Sequence, residues 1–132
     1  MALIVPNSAE AFILGHILKG GLPEDLDIRL YTSNTTPTET DTILTYTEAT
    51  GGGYAAIQLT AASWVITEGE PSLGEHPQVS WTFTGIVGNV YGYYVTRRTS
   101  GDLVWAERFT NGPYDIQTAS DQIRVTPRLT AN

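Results

Sequence analysis

Val90-Tyr91-Gly92-Tyr93-Tyr94-Val95-Thr96-Arg97, followed after Arg98 to Asp102 by Leu103-Val104-Trp105-Ala106-Glu107-Arg108-Phe109, is the stretch that decides the fold. Both runs are rich in β-branched and aromatic residues, and Ser100-Gly101-Asp102 lies between them, which predicts a β-hairpin. Gly92 permits a bulge or a close approach of backbone within the first run. Tyr91 and Tyr93 fall on one face of that strand and Tyr94 on the other, so at least one ring is expected to face solvent or a partner.

The same period of two extends outward. Val79, Trp81 and Phe83 alternate with Ser80, Thr82 and Thr84, and Leu26, Ile28 and Leu30 alternate with Asp27, Arg29 and Tyr31. Ile43–Thr47, Tyr54–Thr60 and Ser63–Thr67 read as further short strands. Gln122–Leu129 reads as the last, with Pro127 marking an edge. Between them lie a polar loop, Ser33–Thr42, a flexible turn at Gly51-Gly52-Gly53, an acidic loop, Glu68–Pro77, and a turn at Asn111-Gly112-Pro113. The expected fold is mainly β: one domain over residues 1–132, an antiparallel β-sandwich or barrel-like body of about eight short strands with turn signals roughly every 8–12 residues.

The N-terminus departs from this period. Met1 to Val5 is an apolar arm ending at Pro6. Asn7 and Glu10 have capping-box spacing. Ala11, Leu14 and Leu18 then recur at helical intervals, with Phe12, Ile13 and Ile17 added, and Lys19 and Gly20 suit a helix end. The division is an arm at 1–6, a helix at 7–20 and a β-rich body at 26–129. The helix is apolar over most of its circumference, so it needs cover on more than one side, from the sheet and from a neighbouring subunit.

The chain has 132 residues and a net charge of −7, with 16% charged residues. Its pI is about 4.5. An acidic surface disfavours nucleic acid and a polybasic membrane anchor. Arg97, Arg98, Arg108, Arg124 and Arg128 all lie after position 96, while residues 24 to 75 are acidic. That split suits either an oriented assembly contact or two solvated faces. There is no cysteine, which removes disulfides and thiolate-bound zinc. Ala11–Leu18 follows Glu10 and no basic residue, a poor signal peptide, so cytoplasmic synthesis without secretion is expected.

Side chains for catalysis do not assemble into a motif. Glu75 beside His76 lacks a third group at recognisable spacing, and His76 is expected to be a solvated loop histidine. His16 is expected to bond locally within its helix. The carboxylates lie mostly in polar loops, no calcium-loop spacing occurs, and Gly51-Gly52-Gly53 lacks the lysine of a phosphate loop. No enzyme activity, cofactor or metal is expected. Trp64, Trp81 and Trp105 share faces with aliphatic residues and are expected in the core, the alternative being a sugar-stacking platform.

The chain resembles small virion proteins of tailed bacteriophages. The resemblance is carried by Met1 to Asn7 before a helix, Pro23-Glu24-Asp25-Leu26 leading into Arg29-Leu30-Tyr31, and Asn34-Thr35-Thr36-Pro37. It continues through Tyr46-Thr47-Glu48-Ala49, Gly53-Tyr54-Ala55, Val90 to Thr96, Trp105 to Phe109 and Val125-Thr126-Pro127. It implies a capsid decoration or cement protein on the virion surface, with the major capsid protein as partner and a homotrimer as assembly, and no nucleic-acid or membrane partner. A tail or neck component, or a carbohydrate-binding receptor module, is the alternative. The residues expected to make partner contacts are Leu3, Ile4, Val5, Phe12, Tyr91 and Tyr93. The family carries no catalytic residue.

Overall fold

Leu26 to Tyr31 is the spine of the molecule because both of its faces are covered: Ile28 and Leu30 are buried on one side and Tyr31 on the other. A computed structural model describes residues 4–19 and 23–131. Among them are one α-helix, α1 (Asn7–Lys19), and the strands β1 (Leu26–Tyr31), β2 (Ile57–Leu59), β3 (Val65–Thr67), β4 (Ser72–Glu75), β5 (Val79–Thr82) and β6 (Gly88–Val90). Then follow β7 (Gly92–Arg97), β8 (Leu103–Arg108), β9 (Tyr114–Ile116), β10 (Gln122–Val125) and β11 (Arg128–Ala131). The fold is mainly β and antiparallel, as the alternation predicted.

The central sheet runs β2-β1-β7-β8, and the predicted hairpin forms its β7–β8 half. Smaller sheets are β5 with β10, β6 with β9, and β11-β4-β3. One face of the central sheet presents Ile28, Leu30, Leu59, Tyr93, Val95 and Trp105 to Val79, Trp81, Ile123 and Val125 of the β5–β10 pair, and this is the main core. The opposite face carries Tyr31, Tyr94, Leu103 and Ala106, capped by Tyr46 from the segment after β1. The Tyr46 and Tyr94 rings stack with centroids 5.2 Å apart.

Eleven strands replace the expected eight for identifiable reasons. Ile43–Thr45 is a 3-10 turn, not a strand, because the Thr42 side chain accepts from the Leu44 N–H and Thr45 returns a bond to the Thr42 N–H. The run Val90–Arg97 breaks at Tyr91, whose N–H donates to the Tyr31 carbonyl at 3.0 Å. That break turns Tyr91 to the Tyr31 and Tyr94 side instead of the Tyr93 side. Gln122–Leu129 divides at Thr126-Pro127, so that β10 and β11 serve different sheets; buried Pro127 stands at this corner rather than at an edge. β4 lies inside what reads as an acidic loop, and β9 follows the Asn111-Gly112-Pro113 turn.

Two glycine sites are fixed by geometry. Gly52 and Gly53 have φ of 55° and 75°, and a Cβ on either would come within 2.7 Å of the 84–87 segment. The triplet is therefore a specific left-handed turn docked on Thr84–Val87, not a flexible break. Gly92 makes a close approach and no bulge: the Tyr31 ring lies directly over it. The irregularity in the hairpin sits at Val95/Thr96.

Candidate interaction surface

The N-terminal arm builds the first wall of the site. β8 is an edge of the central sheet, and its unpaired backbone recruits Ile4: the Ile4 N–H donates to the Ala106 carbonyl at 3.2 Å, and the Ala106 N–H donates back at 3.1 Å. Pro6 then closes the arm, and its carbonyl accepts from Ala9 and Glu10 at 2.9 and 3.1 Å. The Asn7 N–H, which the Glu10 side chain would satisfy in a capping box, donates instead to the Glu39 carbonyl at 3.2 Å.

α1 lies over β8 with Ala9 buried and Phe12 and Ile13 half-buried. The Arg97 guanidinium sits 4.2 Å from the Phe12 ring centroid while donating to both carboxylate oxygens of Glu24 at 3.0 Å. This fork holds the Glu24 carboxyl below its ordinary range. His16 meets Phe12 edge-on and bonds the Phe12 carbonyl through Nδ1 at 3.3 Å, the local contact its helix position predicts.

The second wall is the β11-β4-β3 sheet. Between it and α1 runs an apolar groove of about 410 Å³, lined by Val5, Phe12, Ile13, Trp64, Ile66 and Leu129 among others. Both flanking elements carry exposed apolar side chains. On α1, Leu14 and Leu18 are 56% and 77% exposed, one helical turn apart. On β3, Val65 and Ile66 are 64% and 73% exposed, on opposite faces of the strand. Ile43 and Leu44 of the 3-10 turn and Ile86 of a loop are also exposed, but none of them lines the groove.

The other partner-contact candidates separate. Leu3 lies outside the described residues. Ile4 spends its backbone on β8, Val5 and Phe12 line the groove, and Tyr91 is half-buried with the Arg108 guanidinium 5.2 Å from its ring centroid. Tyr93 is 3% exposed and belongs to the core, because β5–β10 covers the face it shares with Val95. Tyr94 is buried too, so of the three rings, one or more of which is expected to face outward, half-buried Tyr91 is the one that reaches the surface. The exposed residues of β3 escaped the sequence reading. Their signal was present in Val65-Ile66 at a strand followed by acidic residues, but the adjoining β4 was hidden in the acidic loop.

The charge asymmetry of the sequence is largely satisfied within the chain. Arg97 pairs Glu24, Arg98 pairs Asp27 and Arg128 pairs Glu75, each joining the C-terminal part to the acidic 24–75 region. Arg29 adds a two-pronged contact with Glu48 at 2.9 and 3.1 Å. Comparison with protein-family profiles, with curated proteins and with solved structures finds no match.

Chemistry elsewhere is sparse. A second cavity of about 340 Å³ is lined by Tyr93, Glu107, Thr126, Arg128 and Thr130, and burial raises the Glu107 carboxyl. No second carboxylate lines it, so it lacks the acid pair that glycoside hydrolysis uses. Among the described residues, no three His, Cys, Asp or Glu side chains converge as a metal site. His76 is buried rather than solvated. Its Nδ1 lies 2.8 Å from the Pro77 carbonyl and so carries the proton, and its ring meets Trp64 edge-on.

Proposed function

We propose that this chain is a structural protein of a tailed-phage virion, a capsid decoration or cement protein that binds the outer shell and stabilises it through several non-covalent contacts. The observation that carries the reading is the set of exposed apolar side chains on α1 and β3, the two elements that flank one apolar groove. Exposed apolar surface beyond single scattered residues marks a docking site. A subunit that bridges two or more shell proteins through modest contacts raises the cost of opening the shell without any one tight site. In this reading the major capsid protein covers one of these surfaces, and sister subunits of a homotrimer cover the other. Placement on a tail or neck would use the same surface.

The carbohydrate-binding alternative draws less support. Trp81 and Trp105 are 5% and 1% exposed, and the Trp64 ring is flanked by His76 and Trp105, so little aromatic surface is left for a sugar.

The test is binding of the purified chain to shells that lack it. Leu18→Asp and Ile66→Asp alter exposed positions and should leave folding within about 0.5 kcal/mol of the parent, while each weakens shell binding; light scattering should report a trimer. Unchanged binding by both variants, or a strictly monomeric chain that binds no shell, contradicts the proposal. Removal of residues 1–12 is a poor variant, because it deletes the Ile4–Ala106 pairing and buried Ala9.

A further inference from the structure

We infer that the outer edge of β3 is a strand-acceptor site for an extended polypeptide segment of another protein, one with apolar residues two apart and Lys or Arg at the end that meets Glu68 and Glu70. The inference gives the partner's chemistry for the docking reading above and rests on it only for biological setting.

Three observations converge on β3. The strand is the terminal member of β11-β4-β3, hydrogen-bonded to β4 on one side alone, with Val65, Ile66 and Thr67 opposite Glu75, Gly74 and Leu73. An edge strand presents every second N–H and C=O outward, a template for one more strand. Soluble proteins usually blunt such edges with shortness, Lys, Pro or a bulge, and β3, three residues long, has only the first of these. Here the edge is Val-Ile-Thr, exposed throughout, in regular antiparallel register with β4.

The side chains supply the specificity. Ile66 projects over Gly74, where a Cβ would lie 3.2 Å from its Cδ1, and joins the groove wall beside Trp64. An added strand would place alternate residues along that wall and the others beside Val65, which is how strand addition combines backbone affinity with side-chain pockets.

Charge selects the occupant. Glu68 and Glu70 follow β3 directly, both exposed, and no ion pair to either occurs among the described residues. Glu75, opposite Val65 at the other end of the strand, is already paired with Arg128. A second copy added antiparallel about Ile66 would set its own Trp64 and Ala62 opposite Glu68 and Glu70 and so bring them no cation, in a chain whose net charge is −7. A basic-ended segment instead supplies the missing cations, which favours a heterologous partner over self-pairing.

The test uses the full isotopically labelled chain and three synthetic peptides of alternating valine and threonine: one with lysines at both ends, one with glutamates, and one with lysine ends and N-methyl groups on the amides of one edge. The lysine peptide should slow amide exchange within residues 65–67 and bind about tenfold tighter than the glutamate peptide, and N-methylation should abolish pairing on that edge. The exposed double variant Glu68→Lys/Glu70→Lys should reverse the order of the two charged peptides. Equal binding of the lysine and N-methylated peptides, no order reversal in the double variant, binding by none of the peptides, or concentration-dependent self-pairing that protects 65–67 overturns the inference. Because the peptides need no virion, a positive result stands even if the chain proves absent from particles. Shell binding insensitive to the double variant sinks this inference alone.

Discussion

Gly92→Ala tests whether the tyrosine-covered face of the central sheet is as tightly closed as the geometry requires. The new Cβ would meet the Glu107 carbonyl oxygen of β8 and stand 2.6 Å from both Cε2 and the hydroxyl of Tyr31. Neither neighbour yields easily. The carbonyl belongs to the β7–β8 ladder, and Tyr31 is fully buried, its ring 4.9 Å from Tyr46 and its hydroxyl donating to the Thr35 carbonyl at 3.0 Å. Overpacking a closed site costs about 1–3 kcal/mol, and expelling the ring instead costs about 3–5 kcal/mol. We expect ~3 kcal/mol. With an unfolding entropy of about 2.1 cal/mol/K per residue, the 132-residue chain has ~0.28 kcal/mol/K, so Tm should fall by about 11 °C. Calorimetry of the two proteins measures this. In a Tyr31→Ala background the same change should cost at least ~1 kcal/mol less, since one of its two clashes is gone. A Tm within about 2 °C of the parent would refute the account of why glycine occupies this strand.

Tyr54→Phe should cost about 1–3 kcal/mol in urea unfolding, because it removes the acceptor for the Leu30 N–H at 3.2 Å and the donor to Glu48 at 2.7 Å; a neutral result contradicts that network. Stability should decline in alkali. Burial pushes the phenols of Tyr31 and Tyr94 up to about 12 and those of Tyr46, Tyr54 and Tyr93 higher still. In the unfolded chain they ionise from about pH 10, so the stabilisation is intact below that and is lost as pH rises further, by ~1.4 kcal/mol per pH unit for each ring. Urea midpoints at about pH 9 and about pH 11 measure the slope, and equal midpoints contradict it. Glu24 acts at the other end. Its lowered folded pKa gives stability that is present above its unfolded value and lost as pH falls through the folded one. Glu24→Gln should therefore flatten the acid limb below about pH 4.5, and an unchanged limb contradicts it.

What was legible in the sequence follows from which signals are local. The period of two in Leu26–Tyr31 and the two runs around Ser100-Gly101-Asp102 were read within a residue or two, because alternation and turn chemistry belong to neighbouring residues. The break at Tyr91 was not legible, since it depends on a bond to the Tyr31 carbonyl some sixty residues away in sequence. The same holds for the corner at Pro127, whose carbonyl accepts the His76 N–H at 3.0 Å. β4 was missed because Ser72-Leu73-Gly74-Glu75 has weak strand propensity and is held by partners on both sides, β3 and β11. Excess apolar surface on the helix was legible from Leu14 and Leu18. Its counterpart on β3 was not, because reading Val65 and Ile66 as exposed requires knowing that no strand lies beyond them. Tyr93 misled for a related reason: a strand with rings on both faces reads as half-exposed unless a second layer is known to cover each side.

A particle map of the virion encoding this chain, at a resolution that places its helix, tests the central claim most directly. The account predicts the chain on the outer shell, with Leu14 and Leu18 of α1 and Val65 and Ile66 of β3 covered by neighbouring subunits. A map in which those four side chains face solvent while another surface makes the contacts, or particles that contain no copy of the chain, would contradict it.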